Sequence, residues 1–195
     1  MNTVLILNAH PETPDAGALN RAFCDRAADH LTAAGYTVLR SSVAQDWDDA
    51  EEVAKHLAAD AVILQTPVHW MGLPWRAKQY VDQVYNAGWK QLHRSDGRHR
   101  ANPETGYGTG GLMQGRRYML SLTYNAPRGA FDAPDEYLMQ GRGVDDMFLP
   151  QHLNFRYMGY GVIPTFAAHD VLRNPVIADD FARFDAHLAR HFPAP

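Results

Sequence analysis

Apolar residues along this chain fall into two patterns. Short unbroken apolar runs, Thr3 to Asn8 and Ala61 to Gln65, have the character of strands buried on both faces, the second stopping at Pro67. Thr37 to Ser41, Tyr118 to Thr123 and about Val162 to Ala167 add three further strands. Between them the apolar spacing turns helical. Leu19, Ala22, Phe23, Ala27 and Leu31 predict a helix over Gly17 to Ala34, with Gly35 at the position after its end. Val53 and Leu57 mark a short helix at about Asp49 to Ala58. Ala77, Tyr80, Val81, Val84 and Tyr85 fall at i, i+3, i+4, i+7 and i+8 of another. Further helices follow near Pro150 to Met158 and around Phe181, Phe184 and Leu188.

Strands alternating with helices predict a parallel sheet covered on both faces. Five such strands fit a doubly wound α/β fold with strand order 2-1-3-4-5. No repeat or linker interrupts residues 1–195, which are expected to form one domain. The irregular stretch, about 88–115, is polar and glycine-rich, and its length marks it as a functional insertion.

Composition narrows the picture a little. A net charge of -4 argues against nucleic acid or an anionic membrane as partner. The single cysteine, Cys24, excludes an internal disulfide and falls inside a helix, as a buried structural thiol does. No apolar run approaches the roughly 18 residues of a membrane span. Val4 to Leu7 is too short for a secretory signal, so a cytoplasmic location is expected.

In an open α/β sheet, ligands bind beyond the carboxyl ends of the strands, where the strand order reverses. The loops there are Asn8 to Leu19, Gln65 to Trp75 and Thr123 to Phe131. The first follows a buried strand and opens a helix, so its N–H groups can cradle a phosphate, with His10 as a further donor. The alternative is a ligand-free loop capped by Asp15. The second, Pro67-Val68-His69-Trp70-Met71-Gly72-Leu73-Pro74-Trp75, is stiff and aromatic enough to flank a planar ring, or else packs on the core. In the third, Thr123, Asn125 and the backbone can bond a heterocycle edge, with Tyr124 stacked beside it.

Other motifs carry less. Tyr107 to Gly115 is glycine-rich but precedes a strand, which excludes a dinucleotide fingerprint and favours a flexible flap or hairpin at the site edge. Asp145-Asp146 and Asp179-Asp180 suit helix starts. The basic run His93 to Arg100 is a solvated loop or attracts a dinucleotide phosphate. There is no phosphate-loop signature, metal-ligand set or nucleophile elbow, which suits a protein whose cofactor carries the chemistry.

Four separated segments, taken together, resemble the flavodoxin-like NAD(P)H:quinone oxidoreductase family, and within it the branch called modulator of drug activity B. They are Pro67 to Trp75, Ser95-Asp96-Gly97-Arg98, Tyr107-Gly108-Thr109-Gly110-Gly111 and Ser121-Leu122-Thr123-Tyr124-Asn125-Ala126-Pro127. The resemblance implies bound FAD, with FMN the alternative, and NAD(P)H as co-substrate. It further implies a ping-pong cycle in which a quinone-like electrophile is reduced by two electrons as a hydride, and a homodimer with a shared site. The flavin set so implied is His10, Ala16, Gly17, Ala18, Leu19, Asn20, Phe23, His69, Trp70, Met71, Gly72, Tyr107, Thr123, Tyr124, Asn125 and Ala126, with no metal. Tyr107 would also help close the substrate pocket. His69 and Tyr124 depart from a more tryptophan-rich pattern in that branch, and Asp15 and Ala16 stand where a hydroxyl is common. Two alternatives stay open: a flavin-bound ancillary subunit of a potassium efflux system, and a biosynthetic reductase of an aromatic polyketide quinone.

Overall fold

β1 (Thr3–Asn8) is an interior strand of a sheet in which every neighbouring pair is parallel. A computed structural model describes residues 2–13 and 16–194. The chain continues as α1 (Ala18–Ala33), β2 (Thr37–Ser42), α2 (Asp49–Ala58), β3 (Ala61–Pro67), α3 (Trp75–Ala87) and β4 (Arg117–Thr123). A single 3-10 turn (Arg128–Ala130) precedes α4 (Val144–Met147), α5 (Leu149–Met158), β5 (Gly161–Ala168) and α6 (Ile177–His191). The strand order is β2-β1-β3-β4-β5, the doubly wound order expected from the sequence.

The unbroken apolar runs are explained by burial on both faces. On one face Leu5, Leu7, Val62, Leu64, Leu120 and Leu122 pack under α2, α3 and α5 with Val53, Tyr80, Val84 and Phe155. On the other, Val4, Ile6, Ile63 and Met119 pack under α1 and α6 with Phe23, Leu31, Phe184 and Leu188. α1 ends as expected: Gly35 adopts φ 94°, its N–H bonds the Thr32 carbonyl, and the Tyr36 N–H bonds that of Leu31. Cys24 is buried, and burial pushes its thiol pKa up to about 12, which makes it inert at neutral pH.

β5 is an edge strand, and α6 covers its free carbonyls. His187 Nε2 bonds the Pro164 carbonyl at 2.9 Å and Arg183 bonds that of Ala167 at 3.1 Å. Pro164 itself is tolerated because an edge strand has an N–H side that needs no partner.

The insertion between α3 and β4, expected as a flexible flap or hairpin, packs on the body of the domain. Leu92 and Met113 are buried in the core. The 94–98 stretch clasps 106–110: Arg94 N–H bonds the Gly110 carbonyl at 3.0 Å and Gly108 N–H bonds that of Asp96 at 2.6 Å. Met113 N–H then bonds Met158 at the end of α5 at 2.9 Å. The glycines let backbones meet closely: a β-carbon at Gly110 would stand 2.1 Å from the Ser95 carbonyl oxygen, and one at Gly97 2.4 Å from that of Gly106.

Beneath α2 and α3 lies a buried polar cluster. The Tyr80 hydroxyl donates to Glu52 at 2.8 Å, and it and the Tyr160 hydroxyl lie 3.3 and 3.5 Å from the two ring nitrogens of His56. His56 has no exposure, and burial lowers its pKa to about 4. An unfolded histidine takes its proton near pH 6.5, and the native one only near 4. This contribution is therefore whole above about pH 6.5 and lost as pH falls from there to 4, by about 3 kcal/mol. Urea unfolding of wild type and His56→Gln at pH 7 and pH 4.5 is expected to show a distinctly shallower loss in the variant. Equal losses would show that His56 does not carry this dependence.

Candidate functional site

At the carboxyl ends of β1, β3 and β4 lies a cleft of about 420 Å³. His10 and Ala16 to Asn20 line one side, Pro67, Val68 and His69 another, Thr123 and Asn125 a third, and Val171 and Leu172 close it. The three loops singled out in the sequence thus meet in one place.

The floor of the cleft is the amino end of α1. Helices expose unpaired N–H groups and partial positive charge there; among the described residues three of the six helices answer that charge with acidic side chains, and α1, α3 and α5 do not. Asp48 caps α2 through a bond to the Glu51 N–H at 2.9 Å, and α2, α4 and α6 all carry acidic residues in the first turn. α1 has no acidic residue in its first turn, and its N-cap, Gly17, offers no side chain. Among the described residues, nothing bonds the N–H groups of Ala18, Leu19 and Asn20; the first such bond is from Arg21 to the Gly17 carbonyl. Asp15, expected as the cap in the ligand-free alternative, lies outside the described residues. Gly17 sits at φ 106°, and a β-carbon there would stand 2.8 Å from Glu12 Cγ and 3.1 Å from His10 Nδ1. The position demands glycine twice over.

His10 completes this floor. Its ring is largely buried, Nδ1 has no partner among the described residues, and burial followed by the neighbouring His69 lowers its pKa. The two imidazoles meet edge to face at 6.0 Å. A neutral imidazole beside three N–H groups that have no partner among the described residues is a donor set for a phosphate or pyrophosphate oxygen.

His69 opens a two-residue hairpin. Its N–H and carbonyl both pair with Gly72, at 3.0 and 3.1 Å, and the two central residues are Trp70 (φ 47°) and Met71 (φ 64°). Both occupy the left-handed region that asparagine and glycine normally fill in such a turn. Trp70 is 95% exposed, so packing does not repay the strain.

Some expected contacts fall elsewhere. Phe23 is fully buried against Phe166, Phe181 and Phe184 and does not line the cleft: one helical turn beyond Asn20, it faces the sheet. The Tyr124 ring, expected to stack in the site, is buried and stacked on His169. Its N–H is already bonded to the Ala168 carbonyl at 2.8 Å. Trp70, Met71, Gly72 and Ala126 belong to the loops that form the cleft but are not among its lining residues. Tyr107 lies on the clasped insertion, 73% exposed, its ring against Tyr157 at 6.0 Å and under the Arg98 guanidinium at 5.9 Å. It does not line the cleft of its own chain.

Sequence reasoning missed Val171 and Leu172. The loop after β5 runs beside the one after β4: Val171 N–H bonds the Tyr124 carbonyl at 3.0 Å and Asp170 N–H bonds that of Ala126 at 3.1 Å. The rule that selected the other loops, a strand's carboxyl end, applied to β5 as well. Leu172, at 78% exposure, is an apolar shelf beyond the helix terminus.

A doubly wound sheet with an uncapped helix terminus facing a cleft at the β1/β3 reversal defines a flavodoxin-type ligand-binding protein. The chain belongs to the family described as having a flavodoxin-like fold, whose model matches residues 2–192. It is 39% identical to the NADPH:quinone oxidoreductase MdaB of Haemophilus influenzae, over 98% of this chain and 100% of that one. A candidate quinone reductase from Klebsiella pneumoniae superposes with a TM-score of 0.77 at 25% identity, covering 97% of this chain and 83% of that one. General stress protein 14 of Treponema denticola, solved in complex with FMN, shares the fold at a TM-score of 0.66 and 23% identity, covering 96% of this chain and 99% of that one.

Replacing Trp70-Met71 by Asn-Gly is expected to relieve the left-handed strain and raise unfolding stability by about 1–2 kcal/mol. Thermal unfolding measures this; a lowered melting temperature would mean that the two side chains are held by packing.

Proposed function

We propose that this protein is a flavin-dependent NAD(P)H oxidoreductase that reduces quinones by two electrons, with FAD held in the cleft. The observation that carries the reading is the amino end of α1, whose first N–H groups and the nearby His10 Nδ1 have no partner among the described residues, in the lining of that cleft. These donors fit a pyrophosphate. Names of relatives and neighbours support the activity, since MdaB is an NADPH:quinone oxidoreductase and the Treponema protein binds FMN.

The extent of the cleft supports FAD over FMN. A monophosphate would end at the helix terminus, whereas the cleft continues to Val171 and Leu172, an apolar shelf suited to an adenine ring. His69, Thr123 and Asn125 would border the ring system. When bound, the flavin supplies the two-electron chemistry, accepting a hydride from a nicotinamide and delivering one to the quinone in alternate half-reactions. The chain's own part is to bind, orient and desolvate. Ala18 to Asn20 and His10 fix the phosphates, and the His69–Gly72 hairpin presents a rigid edge from which Trp70 projects into solvent.

The purified protein is expected to carry, or take up, yellow colour, to release FAD on denaturation and to oxidise NAD(P)H in the presence of a quinone. A protein that binds neither FAD nor FMN would overturn the reading; one that releases only FMN would overturn the choice of FAD.

The insertion enters as a homodimer element. Tyr107 lies outside its own cleft on a rigid, outward-facing clasp, with Trp89 half-exposed on the same insertion. We infer that it borders the cleft of a second copy. Hybrid dimers of Tyr107→Ala with a cleft-blocked Gly17→Glu chain test this, because they contain one intact cleft and one intact Tyr107 on different chains. Recovery of activity well above both parents is expected. No recovery would place Tyr107 in its own chain's site or outside the reaction.

A further inference from the structure

The cradle is built on a buried chain of side-chain amides. Glu12 Oε1 accepts from Asn8 Nδ2 at 2.7 Å, and Asn8 Oδ1 accepts from Asn20 Nδ2 at 2.5 Å. Asn20 Oδ1 in turn accepts from Gln65 Nε2 at 2.9 Å. Asn8 Oδ1 also takes the backbone N–H of His10 at 3.1 Å. At the outer end Arg21 holds the second Glu12 oxygen at 2.6 Å. Asn8, Asn20 and Gln65 are all buried.

The chain has a direction, and Glu12 sets it. An amide can turn either edge to a neighbour, but a carboxylate only accepts. Glu12 therefore draws the NH₂ of Asn8 toward itself and leaves Asn8 Oδ1 facing inward. That oxygen can then receive both the His10 N–H and the Asn20 amide, which in turn leaves Asn20 Oδ1 for Gln65. The two parts of the cradle, the loop after β1 and the first turn of α1, are thereby tied to each other and to β3. None of these bonds uses the free N–H groups of the helix terminus.

We propose that Glu12, Asn8 and Gln65 are positioning residues that hold this anion cradle in its binding geometry before a phosphate arrives. The proposal rests on the flavin reading above and assigns these residues no contact with the cofactor. A cradle fixed in advance spends none of its binding energy on ordering the loop. Orienting the amides from one carboxylate also makes a change at Glu12 felt at His10, two hydrogen bonds away.

Asn8→Asp severs one link only. The carboxylate it introduces still accepts from Asn20 and His10 but now opposes that of Glu12. Adding Glu12→Gln restores the link in reverse, since the new amide at position 12 donates to the new carboxylate at position 8. The total charge of the pair then returns to that of the wild type. FAD titrated onto each apoprotein, read by quenching of flavin fluorescence, gives the dissociation constants, and apoprotein melting is recorded alongside. For Asn8→Asp the constant is expected to rise about tenfold or more, as loss of a charge-assisted buried bond implies. Glu12→Gln alone is expected to match wild type or weaken binding by about threefold at most, and the double variant to return to within about threefold of wild type.

A double variant that binds no better than Asn8→Asp would overturn the proposal. So would Glu12→Gln binding more tightly than wild type, because that is the signature of plain repulsion between Glu12 and the phosphates. Should Asn8→Asp not fold, Glu12→Ala tests the same link from its exposed end. Weaker FAD binding with apoprotein melting little changed supports the proposal, and unchanged binding overturns it. Failure of the wild-type apoprotein to bind FAD would instead count against the flavin reading.

Discussion

Among the described residues, nothing closes the amino end of α1. A helix start with unpaired N–H groups is normally closed by a cap or an acidic side chain, and α2, α4 and α6 follow that habit. α1 begins instead at a glycine in left-handed conformation, with no acidic residue in its first turn. The positive end of the helix is aimed at a cleft where β1 and β3 part to send their connections to opposite faces. The two-faced core of the sheet fixes that direction: Phe23, Cys24, Ala27 and Leu31 lock α1 against one face, so its start cannot turn away.

Around that fixed point the chain spends stability selectively. Trp70 and Met71 are held in left-handed conformations at the lip of the ligand edge, Trp70 with almost no burial to compensate and Met71 half-buried. The amide chain from Gln65 to Glu12 buries polar groups that an apolar core would avoid; its links are matched donor to acceptor, and Gln65 Oε1 at its inner end has no partner among the described residues. The insertion, which could have been a loose lid, is clasped by backbone hydrogen bonds and anchored by Leu92 and Met113. Rigidity on all three sides suits a protein that positions a cofactor.

Much of this was legible in the sequence, and for physical reasons. Strands buried on both faces must be unbroken apolar runs, so β1 and β3 announced themselves, and their alternation with helices left the parallel doubly wound order as the natural solution. The loops at the strand ends could be chosen by rule, and three of them do meet. What failed were statements about side-chain direction. Tyr124 lies between two cleft residues and Phe23 one helical turn beyond one, but both point into the core, which sequence spacing alone does not decide at an element's end. Glycines in the insertion suggested mobility, yet here they allow close backbone contact. Leu172 was missed because the loop after β5 was not weighed with the others. The family resemblance supplied the flavin and the quinone, which no single loop could have specified.

The most direct test of the account follows the backbone amides of α1 during ligand binding. In a ¹⁵N-labelled apoprotein titrated with FAD, the resonances of Ala18, Leu19 and Asn20, with the ring of His10, are expected to shift together and among the most, as free donors acquire phosphate partners. A protein that binds FAD while those amides stay where they were would contradict the claim that the open end of this helix is what the site is built on.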